Sequence, residues 1–350
     1  MTGPGIFLAF AALAIYSAVD HDTRKFFVTG VVVASVYALG AIGLNLIYGV
    51  LKFGHFAQGD SMMLAAYLAF FVVSGSILGE RRDTQVLPVH LDDLPGSTDP
   101  IWELTFGYSL LLGIIGAGLL MSGILVLLDR LIYRRLRERR GNIVIFSIAS
   151  LGLALAIRSS MLIFWGPNPR SYVEGIHPAL HLPFDIVLKG DQIFIIVTAV
   201  VMAAAVYSLL MFSKLGKAMR AVADNPELAL ISGINTDQIF VWTWVIAGWL
   251  IAVAGVLLAL QAQLNPNLGF IIVLPLFASA ILGGIGSPLG AIGGALIVGI
   301  TQEVSVGLEV SVFGEHLLPL AAGYKFSVAV VLLILILLVR PQGLFGREPA

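Results

Sequence analysis

The sequence contains no cysteine among its 350 residues, which excludes disulfide bonds and thiolate metal sites. Charged residues are also scarce: they make up 12% of the chain, against about 25% in soluble domains. This scarcity excludes an ordinary water-soluble enzyme. It also excludes a disordered chain, which requires low hydrophobicity and high charge. The formal net charge is -1, so no global basic field indicates nucleic acid as a partner.

Motifs that carry catalysis are missing as well. The six histidines are scattered, and the one pair with helical metal-ligand spacing, His177 and His181, is interrupted by Pro178. The chain contains no H-E-x-x-H, G-x-S-x-G or G-x-x-x-x-G-K-[ST] motif. The sequence therefore predicts a chain that is not an enzyme, binds no metal and does not itself bind ATP.

Hydrophobic residues, in contrast, make up 58% of the chain, and the mean hydropathy is +0.96. A bilayer core of about 30 Å requires roughly 20 apolar residues in a helix. Apolar stretches that are predicted to cross it are Gly5–Val19, Phe27–Leu51, Ser61–Leu78, Gly107–Leu128, Ile143–Trp165, Ile193–Phe212, Ile239–Leu260 and Phe326–Val339. A further pair, Phe270–Leu282 and Gly290–Val306, is separated by glycines and Pro288. We therefore expect an all-α, polytopic membrane protein of about 8–10 transmembrane helices, forming one domain over residues 1–350. Gly5–Val19 is interpreted as a retained span, because no basic residue precedes Arg24.

The distribution of positive charge predicts the orientation in the membrane. The segment 129–142 carries six arginines, and the segment 213–238 adds Lys214, Lys217 and Arg220. By the positive-inside rule both segments are cytoplasmic, and alternation then places the N- and C-termini in the cytoplasm too. The longest outer loop, 79–106, is acidic and contains several prolines. It could dock a partner protein or serve as a solvated connector.

The cytoplasmic segment 213–238 is too long for a simple turn and too polar for a span. Asn225 is a suitable N-cap, Pro226 suits the first helical position, and Glu227 favours the positive end of the helix dipole. Gly233 is a natural C-terminal stop. These signals predict a helix of about two turns, which is marginal alone in water. It must dock on a cytoplasmic partner or pack on its own neighbouring spans, and the residues leave both options open.

Two places interrupt the apolar pattern at membrane depth. The first is the glycine-rich break 281–290, and the second is Leu51–Gly59 on the inner side. Unwound backbone is tolerated there only where protein or a water-filled cavity surrounds it. Among the few polar residues, Asn45 lies in the inner half of its span and Arg158 lies beyond the middle of its span, toward the outside. Arg158 could meet a substrate carboxylate, extend outward to water, or brace a neighbouring helix.

Four motifs together resemble the branched-chain amino acid ABC transporter permease family. The first runs through Tyr37–Leu51, Phe53–Asp60 and Met63–Tyr67, and the others are Arg220–Thr236, Ala280–Gly294 and Arg340–Gly346. They occur in the family's order from about residue 30 to the C-terminus. The resemblance implies the ABC importer permease fold.

The resemblance also implies a function and partners. This chain would be the permease subunit of a bacterial importer in the cytoplasmic (inner) membrane, forming half of the pathway for branched-chain or related amino acids. Its partners would be a second related permease subunit, two ATPase subunits that bind ATP and Mg²⁺, and a periplasmic substrate-binding protein. This chain itself would bind no cofactor.

Two alternatives remain open. The first is an importer of urea or short amides from the same family. The second is a self-sufficient secondary transporter or channel, which would need carboxylates or histidines inside the membrane. The predicted spans contain none except Glu303, near the outer end of a predicted helix.

Two groups of site residues are expected in this chain. Coupling to the ATPase is expected at Arg220, Asp224, Asn225, Pro226, Glu227, Leu228, Gly233, Ile234 and Asn235. The translocation pathway is expected at Asn45, Tyr48, Gly49, Arg158, Gly283, Gly284, Gly286, Ser287 and Pro288.

Overall fold

The computed structural model describes residues 21–77, 90–172, 180–182, 186–307, 311–312, 315–316, 322–340 and 342–344. The α-helices in these ranges are α1 His21–Leu51, α2 Gln58–Ser74, α3 Tyr108–Leu128, α4 Arg134–Glu138, α5 Ile143–Trp165, α6 Gly190–Phe212, α7 Lys214–Asp224, α8 Pro226–Ile231, α9 Thr236–Ala262, α10 Leu268–Gly283, α11 Pro288–Gly307 and α12 Lys325–Val339. A π-helix, Asp129–Tyr133, joins α3 to α4. The predicted span Gly5–Val19 lies outside the described residues.

The expectation of a polytopic, all-helical membrane protein is confirmed. Six helical segments in the described chain are long and apolar enough to span a bilayer, and α2, α10 and α12 are shorter apolar helices. Two short antiparallel hairpins interrupt this pattern between helices. In one, β1 Leu180–Leu182 pairs with β2 Ile186–Leu188; in the other, β3 Ser311–Val312 pairs with β4 Glu315–His316.

Helix α9 lies at the centre of the bundle. Its most apolar window is 83% buried, whereas those of α5 and α6 are each 22% buried. Helix α9 packs against α1, α2 and α3, and α11 packs along α1. A Cβ atom on Gly299 of α11 would lie 2.7 Å from the Cα of Ala34 on α1, so this close approach requires glycine. The peripheral helices α5 and α6 thus leave most of their apolar surface for lipid or another subunit.

The described part of the outer loop packs back onto the bundle. Ser109 of α3 donates its backbone N–H to the carbonyl of Ser97, at 3.1 Å. Thr105 donates both its backbone N–H and its hydroxyl to the carboxylate of Asp191, at 2.9 and 2.6 Å. Burial raises the pKa of the Asp92 carboxyl, and a hydrogen bond with Ser109 opposes that increase. Residues 90–107 therefore join the start of α3 to the start of α6.

The arginine-rich segment 129–142 is mostly helical, not the loop that the sequence predicts. The π-helix and α4 extend α3 to Glu138. A local ion pair lies within this extension: Arg137 donates to both carboxylate oxygens of Asp129, at 2.8 and 2.9 Å. The two residues are eight positions apart, so the pair connects the start of the π-helix to α4.

Candidate coupling segment and translocation pathway

The short helix α8 begins as its sequence predicts. The side-chain oxygen of Asn225 accepts hydrogen bonds from the backbone N–H groups of Glu227 and Leu228, both at 3.0 Å. Pro226 occupies the first turn, where its missing N–H costs nothing. These contacts satisfy two of the donors that a helix start leaves free.

The helix also ends at the predicted glycine. Gly233 adopts a left-handed conformation with φ of 87° and donates to the carbonyl of Leu230. Ile234 donates to the carbonyl of Ala229, which completes a Schellman motif. Asn235 then caps the next helix, accepting from the N–H of Gln238 at 3.1 Å. The whole of 225–238 is thus defined by local hydrogen bonds.

Helix α8 presents its apolar side chains to the outside. Of its six residues Ala229 is buried, whereas Leu228, Leu230 and Ile231 are 61%, 59% and 83% exposed. Glu227 is exposed as well. Within the described chain, α8 therefore does not bury its aliphatic residues against its own spans.

A second short helix outside the candidate spans, α7, precedes α8 and was missed by sequence reasoning. Ser213 caps it by accepting from the N–H of Gly216, at 2.9 Å. It buries Gly216, Met219 and Val222 and packs on α1, α6 and α9. The spacing of these residues, three apart on one helical face, is the signal that could have predicted it. Of the expected coupling residues on α7, Arg220 and Asp224 are both exposed.

Asn45 connects α1 to the glycine-rich break. Its side-chain amide donates to the carbonyls of Gly284 and Ser287, at 3.3 and 3.1 Å. The non-helical residues are 284–287, between the end of α10 at Gly283 and the start of α11 at Pro288. Gly284 and Gly286 adopt φ angles of 96° and 86°, which favour glycine. The interruption is therefore shorter than the predicted 281–290, and Asn45 bonds two of its carbonyls.

The last turn of α1 faces the same break. A Cβ atom on Gly49 would lie 3.9 Å from the Cα of Gly286. Tyr48 and Gly49 are half-buried, and Ile285 and Gly286 are exposed. The structure thus brings Asn45, Gly49 and the break together at one end of the bundle.

The C-terminal motif reaches this place too, which sequence reasoning did not predict. Leu344 donates its N–H to the carbonyl of Leu282 at 2.7 Å. A Cβ atom on Gly343 would lie 2.6 Å from the Cα of Gly284, and Gly343 has a φ of 78°. Three of the four motifs on which the resemblance depends therefore meet around residues 282–287.

The second predicted break, between α1 and α2, folds back along α1. Gln58, the first residue of α2, donates to the carbonyl of Gly40 at 2.9 Å. Gly40 lies about 16 Å before the end of α1 at 1.5 Å per residue, so α2 starts beside the middle of the α1 span Lys25–Leu51. Ser150 of α5 holds the intervening segment, accepting from the N–H of Phe56 at 3.0 Å and donating to the carbonyl of Gly54 at 3.3 Å.

An aromatic cluster packs this segment against the π-helix and α9. The hydroxyl of Tyr133 lies 3.2 Å from His55 Nδ1, and the ring of Tyr133 stacks on Trp244 with centroids 5.3 Å apart. Phe53 and Phe146 complete the cluster. These rings pack the segment between α1 and α2 against the end of the molecule that carries the arginines of 129–142.

Arg158 lies away from the break and forms a bidentate ion pair with Asp60. Its Nε and Nη2 atoms each lie 3.1 Å from a carboxylate oxygen. The guanidinium carbon also lies 4.4 Å from the ring centroid of Phe270. The side chain of Asp60 is 1% exposed and that of Arg158 is 16% exposed. Arg158 therefore braces α5 against α2 and α10.

This pair corrects one expectation. Asp60 is a buried carboxylate within a helix at membrane depth, and it was missed because α2 begins at Gln58 and not at Ser61. Glu303, the acid that the sequence places in a predicted span, pairs with Lys325 at 2.9 Å. Both carboxylates therefore have a cationic partner.

Comparisons with known proteins agree with the resemblance. A family model described as branched-chain amino acid transport system / permease component matches residues 26–339. The high-affinity branched-chain amino acid transport permease BraD of Pseudomonas aeruginosa is 31% identical, covering 91% of this chain and 94% of its own length. LivH of Escherichia coli K12, with the same description, is 30% identical with the same coverage. A probable branched-chain amino acid transport permease of Methanocaldococcus jannaschii is 26% identical and covers 91% of both chains.

Proposed function

Because the chain belongs to the family of branched-chain amino acid transport permease components, we propose that it forms half of the translocation pathway for branched-chain or related amino acids. As an importer permease it would work with a second related permease subunit, two ATPase subunits and a periplasmic binding protein. ATP and Mg²⁺ would bind to the ATPase subunits. Its place would be the bacterial inner membrane, with both termini in the cytoplasm, because the arginine-rich segment then lies inside.

The main support for this proposal is that helix α8 exposes its aliphatic side chains. Its three exposed aliphatic side chains and its capped ends form a rigid, apolar projection beyond the membrane spans. Such a surface is unfavourable in water unless another protein covers it. An ATPase subunit that docks on α8 would bury this surface.

The packing provides a route from α8 to the pathway. Helix α7 contacts α8 and also packs on α1 and α9. A displacement of α8 would therefore move α7. Helix α1 carries Asn45, which bonds the carbonyls of Gly284 and Ser287. Closure of the ATPase pair would thus displace α8, shift α1 and move the glycine-rich break. Alternating access would follow from that displacement.

Charge reversal on α8 tests the coupling assignment. Glu227→Lys places a positive charge at the positive end of the α8 dipole and on the proposed docking surface. We expect normal membrane insertion and strongly reduced co-purification of the ATPase. Arg139→Glu is the matched control, because it reverses an exposed charge on the same side of the membrane outside α8. Equal co-purification of both variants would contradict the assignment.

A transport assay separates the importer from the alternatives. Liposomes that contain the assembled transporter and the binding protein should take up leucine only when ATP is supplied to the ATPase side. Preference for urea or short amides would identify the related substrate class instead. Uptake by this chain alone, driven by an ion gradient, would favour a secondary transporter.

A further inference from the structure

A groove of about 310 Å³, lined by both charged and apolar side chains, lies at the arginine-rich end of the bundle. The π-helix and α4 form one wall with Arg130 and Arg134, and the first turns of α9 form the other with Gln238 and Trp242. None of these four residues belongs to the expected coupling set or to the pathway, although Asn235 of the coupling set also lines the groove. The groove therefore needs an explanation of its own.

One ion pair in the groove is already complete. Both oxygens of Asp129 accept from Arg137, and one of them also accepts from the indole N–H of Trp244 at 2.8 Å. The side chain of Asp129 is 3% exposed, so its charge is neutralised within the protein. Arg137 and Asp129 together leave no net charge for a ligand.

Arg130 and Arg134 remain able to bind an anion. Arg134 contacts Glu138 at 3.1 Å and Asp237 at 3.6 Å, but all three side chains are about half exposed or more. Ion pairs of this exposed kind are weak and exchange readily. Arg130 is exposed and forms no ion pair within the described part of the chain. The groove thus offers two guanidinium groups to an anion, opposed by the exposed carboxylate of Asp237, which also lines it.

The position of the groove matches the edge of the hydrocarbon layer. Arg130 lies about 33 Å from Tyr108 along the helix, at 1.5 Å per residue, and a bilayer core is about 30 Å thick. Trp242, half exposed beside it, is the residue type typical of that interface. Leu127 and Leu131 on the adjoining surface are 54% and 47% exposed. Positive charge therefore meets apolar surface at this point.

We propose that the groove binds the phosphate headgroup of an anionic phospholipid from the cytoplasmic leaflet. Arg130 and Arg134 would contact the phosphate, since guanidinium groups match its geometry. The exposed leucines would adjoin the acyl chains. A soluble protein partner is a poorer fit, because the site lies at the level where lipid begins.

The lipid would also lie beside the junction between α8 and α9. The α9 wall of the groove starts at Asn235, which ends the α8 turn and caps α9. A bound headgroup would hold this junction to α4 across the groove. Anionic lipid would thereby set how firmly the far end of α8 is anchored.

Tryptophan quenching by brominated lipid tests the site directly. The isolated permease is placed in nanodiscs with either brominated phosphatidylglycerol or brominated phosphatidylcholine at equal mole fraction. Subtracting the signal of Trp242→Phe isolates the emission of Trp242. We expect the anionic lipid to quench Trp242 more strongly than phosphatidylcholine. The double variant Arg130→Gln/Arg134→Gln should weaken this preference roughly thirtyfold, because two basic contacts are lost.

The control is Arg135→Gln/Arg139→Gln, which removes the same charge from exposed positions of the same segment outside the groove. It should retain the preference of the wild type. Equal quenching by the two lipids, or equal loss in both double variants, would overturn the proposal. Unchanged lipid preference with lost ATPase co-purification in the groove variant would also overturn it and assign the groove to the ATPase. Since the quenching needs no ATPase, its outcome is independent of the coupling proposal.

Discussion

Replacing Arg158 by glutamine would leave the carboxylate of Asp60 buried in the membrane without a counter-charge. The two groups meet through two contacts of 3.1 Å, and the side chain of Asp60 is 1% exposed, so water cannot replace the lost partner. Helices α2 and α5 would lose their charged connection, and the contact of the guanidinium with Phe270 would disappear too.

The size of the effect follows from this geometry. Unit charges about 4 Å apart interact by about 4 kcal/mol at an effective dielectric constant of about 20. Removing one member of a buried pair typically costs about 3–5 kcal/mol, because the remaining charge is uncompensated. Removing both charges costs less, since no unpaired ion remains. We therefore expect Arg158→Gln to be less stable than the double variant Asp60→Asn/Arg158→Gln.

The measurement is a thermal unfolding series on purified permease in detergent, followed by size-exclusion chromatography after heating. The wild type, both single variants and the double variant form a double-mutant cycle. Arg158→Gln should have the lowest midpoint, and the double variant should recover part of the loss. Strictly additive effects of the two substitutions would refute the ion-pair account of this contact.

Three further outcomes follow from the coupling segment and the break. Asn45→Ala removes both hydrogen bonds to the break and should lower ATP-driven uptake while ATPase co-purification stays unchanged; full uptake would contradict the role of Asn45. Gly233→Val forces a β-branched residue into a φ of 87°, costing about 1–3 kcal/mol, and should lower co-purification of the ATPase. Asn225→Ala removes the cap of α8 at about 1 kcal/mol, so it should weaken coupling less than Gly233→Val in an ATPase stimulation assay.

Local signals predicted the start and the end of α8, although they missed α7. Asn225, Pro226 and Gly233 each act on backbone groups within a few residues, so their meaning is contained in the sequence nearby. The same reasoning located the glycine-rich break, because successive glycines and a proline cannot continue a helix at low cost. The resemblance to a permease family added the order of the motifs.

Contacts between distant residues could not be predicted in this way. Asp60 and Arg158 are separated by 98 positions, and Asn45 and Gly284 by 239. Which partners meet depends on how the helices pack, and a periodic apolar pattern does not encode that choice. The helical extension through Asp129 and Arg137 was also not predicted.

The remaining difference between the prediction and the structure is the residue at which α2 begins. Starting α2 at Gln58 brings Asp60 into a helix at membrane depth, whereas a start at Ser61 leaves it outside. The start is fixed by the side chain of Gln58, which bonds the carbonyl of Gly40 on α1. A hydrophobicity count cannot detect a tertiary hydrogen bond of this kind.

The central claim is that a partner ATPase docks on α8, and a single-cysteine labelling experiment tests it most directly. The chain contains no cysteine, so Ile231→Cys introduces a unique thiol at a position that is 83% exposed. Maleimide labelling of this thiol should slow strongly once the ATPase subunits are assembled, while labelling of Arg139→Cys should not change. Equal labelling rates of Ile231→Cys with and without the ATPase would contradict the account.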